Sequence, residues 1–129
     1  MRPEMHFTSI TATLVTALMA SPVVNTTVFL ANRQASDGSE EQVAWTNGTP
    51  DPCSGFTAIV GGTANSCGIN FNVDGTNGPF QFEGCGGVGL SLEHNDQFNS
   101  NCVFQKGAII NCPVPATIGA VGNGRFACS

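Results

Sequence analysis

Six cysteines, Cys53, Cys67, Cys85, Cys102, Cys112 and Cys128, are spread over a 129-residue chain with no two closer than ten positions. Zinc sites and thioredoxin-like redox centres use closely paired cysteines, and this sequence has no Cys-x-x-Cys. Beyond its first twenty residues it has a single histidine, His94. An even set of widely spaced cysteines predicts three disulfides, formed in an oxidising compartment. Six cysteines allow 15 pairings, and spacing alone leaves them open. One local scheme has a turn centred on Gly107 that sets Cys102 opposite Cys112 and Phe104 opposite Ile110.

The front of the chain supplies that compartment. Residues 1 to 20, MRPEMHFTSITATLVTALMA, place Arg2 ahead of an uncharged run and end in small residues, the pattern of a secretory signal peptide. Val23 to Ala31 prolongs the uncharged stretch, but Pro22, Asn25, Thr26 and Thr27 interrupt it, which argues against a transmembrane span. What remains is enough for one domain. With 16 glycines, nine phenylalanines, no tyrosine and 10% charged residues, it is poor in helix formers and predicts β structure. The net charge is -5. Past residue 20 the strong bases are Arg33, Lys106 and Arg125, too few and too scattered for nucleic acid or an anionic membrane surface.

Residues 21–52 read as a flexible arm, since Ser36 to Asp51 is polar and turn-forming. Asn47-Gly48-Thr49 is a glycosylation sequon in it, and Asn25-Thr26-Thr27 another. Trp45, the one tryptophan, is expected to pack on the domain. Residues 53–129 then form a cysteine-rich β domain. Cys67, Ile69, Phe71 and Val73 alternate with polar or small residues, so one face of a strand is buried. The turn residues Asp74 to Pro79 follow, and Phe80-Gln81-Phe82 resumes the alternation, predicting a hairpin. Further short strands are expected at Phe56 to Val60, Val88 to Leu92, Cys102 to Gln105, Gly107 to Cys112, Ala116 to Val121 and Arg125 to Cys128. The expected fold is all-β, a small disulfide-stapled antiparallel sandwich or barrel. Phe56, Phe71, Phe80, Phe82, Phe98, Phe104 and Phe126 are its expected core.

Three stretches invite a chemical reading. Gly84, Gly86 and Gly89 have the G-x-G-x-x-G spacing of a dinucleotide loop, but such a loop must open a helix and be followed by an acidic residue about 20 positions on. Leu90 to Glu93 alternates like a strand and no Asp or Glu follows Asp96, so these glycines, with Gly87, predict a corner between strands clamped through Cys85. Glu93, His94 and Asp96 bring an acid and a base close in sequence, with Arg125 as a conceivable phosphate clamp in a ribonuclease-like site. On a strand Glu93 and His94 face opposite ways, and no second histidine remains for the leaving group. Asp74 to Gly78 offers calcium too few oxygens for a ligand shell. No catalytic residue, metal or cofactor is expected.

Phe71-Asn72-Val73-Asp74-Gly75-Thr76-Asn77-Gly78 leading to Cys85, with Phe56 upstream and Gly122-Asn123-Gly124-Arg125-Phe126-Ala127-Cys128 at the end, resembles the Alternaria major-allergen-like family of fungal secreted proteins. More broadly the chain is similar to small secreted cysteine-rich effector candidates of fungi. The resemblance implies a β-barrel or sandwich, an extracellular elicitor or virulence role, binding to a host defence protein, and no enzyme activity. It also implies sequential bridges, Cys53 with Cys67, Cys85 with Cys102, and Cys112 with Cys128. The expected function is thus that of a secreted, non-catalytic effector or elicitor that binds a host extracellular protein. A small secreted hydrolase resting on Glu93, His94 and Arg125 is the alternative, as is a carbohydrate or cell-wall-binding module resting on Trp45 and Asn-rich turns.

Overall fold

The computed structural model describes residues 26–62, 64–73, 78–86, 89–113, 116–120 and 123–129. The expected signal peptide at 1–20, the Asn25 sequon, and the 74–77 part of the hairpin turn and calcium reading lie outside the described residues. Among those described, nine strands and one helical turn follow in order: β1 (Val28–Ala35), β2 (Glu40–Thr46), α1 (Pro52–Gly55), β3 (Thr57–Gly61), β4 (Phe80–Glu83), β5 (Ser91–His94), β6 (Gln97–Lys106), β7 (Ile110–Cys112), β8 (Ala116–Ile118) and β9 (Gly124–Cys128). No helix among them is long and apolar enough to cross a membrane.

The strands pair antiparallel in the order β3-β2-β1-β9-β6-β5-β4, with β7 paired to β8. The resulting sheet curls into a half-barrel. An all-β antiparallel protein with three disulfides is what composition and alternation predicted. One edge of β1 pairs with β2. Its other edge takes β9 at Val28 to Leu30 and β8 at Arg33 to Ala35. β8 and β9 are therefore one strand with an interruption: Leu30 opposes Phe126 while Arg33 opposes Ile118, so three steps along β1 are matched by eight along its neighbour. At the interruption Gly119 N–H donates to Asn32 O at 2.7 Å and Gly124 N–H to Gly119 O at 2.8 Å. β6 and β7 break at the same level, where Gly107 N–H donates to Asn123 O at 2.7 Å.

Two cores flank β1 and β2, one on each face. Val28, Leu30 and Ala44 point to a core completed by Phe71, Val73, Phe80, Phe82 and Leu92. Ala31, Val43 and Trp45 point the other way and pack with Ile118, Phe29, Phe56 and Ile110. Strands covered on both faces read as continuous apolar runs, because neither face needs to be polar. That explains Val43-Ala44-Trp45-Thr46, in which all four residues are buried. Each large apolar side chain so enclosed contributes roughly 1.5 to 3 kcal/mol.

This arrangement corrects several expectations. Much of the 21–52 arm is strand: β1 and β2 sit inside the sheet, and the folded unit begins well before Cys53. The polar stretch that suggested flexibility contains the turn between them, closed by Ala35 N–H on Ser39 O at 2.8 Å. The period-two pattern over residues 67 to 73 does bury Phe71 and Val73, yet it forms no extended strand. It is held by single bridges, Phe71 with Phe80 and Cys67 with Phe82. Of the expected Phe core, Phe71, Phe80 and Phe82 are buried, and Phe56 and Phe126 are packed at the margins. Phe98, at 65% exposure, and Phe104, at 42%, are not core residues, because β6 runs outward with most of its side chains in solvent.

The disulfides join Cys53 to Cys112, Cys67 to Cys85, and Cys102 to Cys128. The sequential pairing that the resemblance implies is not formed. Register decides it: Cys102 and Cys128 stand directly opposite in the β6-β9 pair. The Gly107 turn does not fold β6 back on β7 either, so Cys102 does not meet Cys112, and Phe104 opposes Phe126.

Candidate functional site

The stretch with dinucleotide-loop spacing forms a corner between β4 and β5. Gly84, Gly86 and Gly89 all have positive φ, at 85°, 72° and 150°. A Cβ on Gly84 would collide with the carbonyl oxygen of Gly89, so the two limbs of the corner touch through backbone. Cys85 is bridged to Cys67 and donates its N–H to the Cys67 sulfur at 3.1 Å. Ser91 already belongs to β5. Strand, bridge and strand follow in the order that the sequence suggested.

Glu93, His94 and Asp96 do not converge with Arg125. Asn95 and Asp96, at φ 55° and 63°, form the two-residue turn of the β5-β6 hairpin, with the paired positive φ of a type I′ turn. His94 lies flat on the Phe80 ring, with centroids 4.2 Å apart. It pairs with Gln97 at the start of β6, whereas Arg125 pairs with Gln105 eight residues further along. At the usual rise of a strand that separates them by about 26 Å along β6. Arg125 is held there by Gln105 Oε1 at 2.6 Å and by the face of Phe29 at 4.2 Å.

Trp45 is 2% exposed and stacked on Phe29 with centroids 5.3 Å apart, so it presents no ring to a sugar. Asn47 stands on an exposed turn after β2, where its Oδ1 accepts from Thr27 N–H at 3.3 Å. Among the described residues no group of three or more His, Cys, Asp or Glu side chains gathers as a metal site.

What the fold does build is an open groove of about 600 Å³ on the first core's face of the sheet. Leu30 of β1, Gln42 of β2 and Phe126 of β9 contribute from the sheet. Ala64, Asn65 and Ser66 line it on one side, and the glycine corner with Leu90 on another. Each part is fixed locally. Gln42 Nε2 donates to Ala64 O at 2.7 Å, Asn65 Oδ1 accepts from Cys67 N–H at 2.9 Å, and the Cys67–Cys85 bridge ties the segment to the corner. A smaller cavity of about 120 Å³ shares Leu30, Gln42 and Phe126 and reaches Phe104, whose ring meets Phe126 edge-on at 5.1 Å.

Among the described residues, no side chain lining either cavity is ionisable apart from Cys85, which is locked in its disulfide. The charged groups are elsewhere: Arg33 pairs with Glu41 at 3.0 Å and lies over Phe56. Asp37, in the β1-β2 turn, is held below the usual carboxylate range, chiefly by the Ser39 hydroxyl and then by the Ser39 N–H. Sequence reading missed the groove as a site. It located the corner through its glycines, but Leu30, Gln42, Asn65 and Phe126 carry no local signal and meet only through the sheet. No family model matches this chain, and no curated protein or solved structure matches it.

Proposed function

We propose that this is a secreted, non-catalytic recognition protein of the extracellular space, an effector or elicitor that binds a host extracellular protein. One observation carries the reading: the fold builds a disulfide-framed groove of about 600 Å³ walled by neutral side chains, while the guanidinium of the rival hydrolase, Arg125, stands about 26 Å along β6 from His94. A neutral groove suits binding, whereas acid-base chemistry needs titratable groups within hydrogen-bond reach of one reacting atom. Three disulfides fit an oxidising compartment. The Asn47 sequon lies on an exposed turn, where a glycan would project into solvent.

The test pairs capture with assay. Mature, oxidised protein immobilised and exposed to host extracellular fluid should retain a specific protein, and should release no product from RNA. Cleavage of RNA that disappears in His94→Ala would overturn the reading, and retention on chitin or glucan instead of a protein would favour the wall-binding alternative.

A further inference from the structure

We infer that the groove is a binding site for an uncharged amphipathic small molecule, which deepens the recognition reading and rests on it. The volume, about 600 Å³, lies in the range of small-molecule sites. Its chemistry is divided. Leu30, Leu90 and Phe126 offer apolar contact, and Phe104 extends that surface into the adjoining cavity. Gln42 and Asn65 bring amides: Gln42 uses its Nε2 on Ala64 O, leaving Oε1 as an acceptor, and Asn65 uses its Oδ1 on Cys67 N–H, leaving Nδ2 as a donor.

The absence of charge in this lining selects the ligand. The whole chain is acidic, with a net charge of -5, yet among the described residues no charged side chain lines the groove. An ionic ligand would leave water for a site that holds no counter-charge, whereas a neutral one loses little. The same assignment accounts for Phe104. Phe104 is 42% exposed and lines the smaller cavity, which shares Leu30, Gln42 and Phe126 with the groove, so a ligand reaching from the groove into that cavity would cover it.

Two dyes with one skeleton test the inference. N-phenyl-1-naphthylamine is neutral and carries a single N–H donor; 8-anilino-1-naphthalenesulfonate adds an anionic group. The neutral dye should titrate the oxidised protein to one saturable site, and the sulfonate should bind at least about tenfold more weakly. Ala64→Trp, at an exposed position on the rim, should weaken the neutral dye by about tenfold or more through loss of volume. Val103→Ser, which removes a 67% exposed apolar side chain outside both cavities, should leave binding unchanged. On the unaltered protein, nuclear Overhauser contacts from the dye should reach Leu30, Leu90 and Phe126, a readout that needs no variant. Unsaturable binding, equal affinity for both dyes, loss on Val103→Ser, or dye contacts elsewhere would each overturn the site. Such a failure would leave partner capture untouched, so it is separable from failure of the recognition reading.

Discussion

At the residue scale, two glycines with similar backbone angles make a controlled comparison. Gly38 has φ 88° and open space where a Cβ would go, whereas Gly84 has φ 85° and the Gly89 carbonyl in that place. Gly38→Ala should therefore cost about 1 to 2 kcal/mol from the left-handed backbone alone. Gly84→Ala must also push two chain segments apart, and should cost about 2 to 4 kcal/mol. Denaturant unfolding with disulfides intact measures both, and equal losses would contradict the close backbone approach. Asp37 provides the pH-dependent counterpart. Its folded pKa is depressed by Ser39, so its contribution is present above the unfolded carboxyl value and is lost as pH falls through the folded one. In Ser39→Ala the Asp37 titration, followed by NMR, should move back up toward the usual carboxylate range.

Among the elements, β1 and β2 separate what was legible from what was not. Ser36 to Asp51 read as polar, turn-forming and flexible, and the Gly38 turn falls within it, but the strands it joins carry buried side chains toward both faces and so lack the alternation that exposes a strand in sequence. Trp45 tests the correction. It fills the second core at 2% exposure, so Trp45→Ala should cost about 3 to 5 kcal/mol, read by chemical unfolding. A residue in a flexible arm would cost almost nothing. The β5-β6 hairpin is the converse case, because Asn95 and Asp96 tolerate positive φ and fix their turn by local chemistry.

For the whole molecule, the three bridges differ in what they close. Cys53–Cys112 spans 59 positions, against 26 for Cys102–Cys128 and 18 for Cys67–Cys85. On the chain-entropy account the first contributes about 4 kcal/mol and the last about 3. Replacing both cysteines of each pair by alanine should rank the losses in that order, measured by thermal or chemical unfolding. Peptide mapping without reduction should recover these three pairs. The Cys67/Cys85 double variant should in addition lose the neutral dye, since that bridge ties together two parts of the groove lining.

Sequence alone determined the class of this protein: an all-β chain with three disulfides, and a glycine corner at 84 to 89 that serves backbone packing. These features depend on φ preferences, alternation and cysteine count, which act over a few residues. Only the tertiary structure decided which cysteines pair, that β1 and β2 lie between two cores, that Phe98 and Phe104 face outward, and that the corner lines a neutral groove. Each of those depends on the register between strands distant in sequence. Register follows from packing both faces of the sheet at once, which no local window of the chain contains.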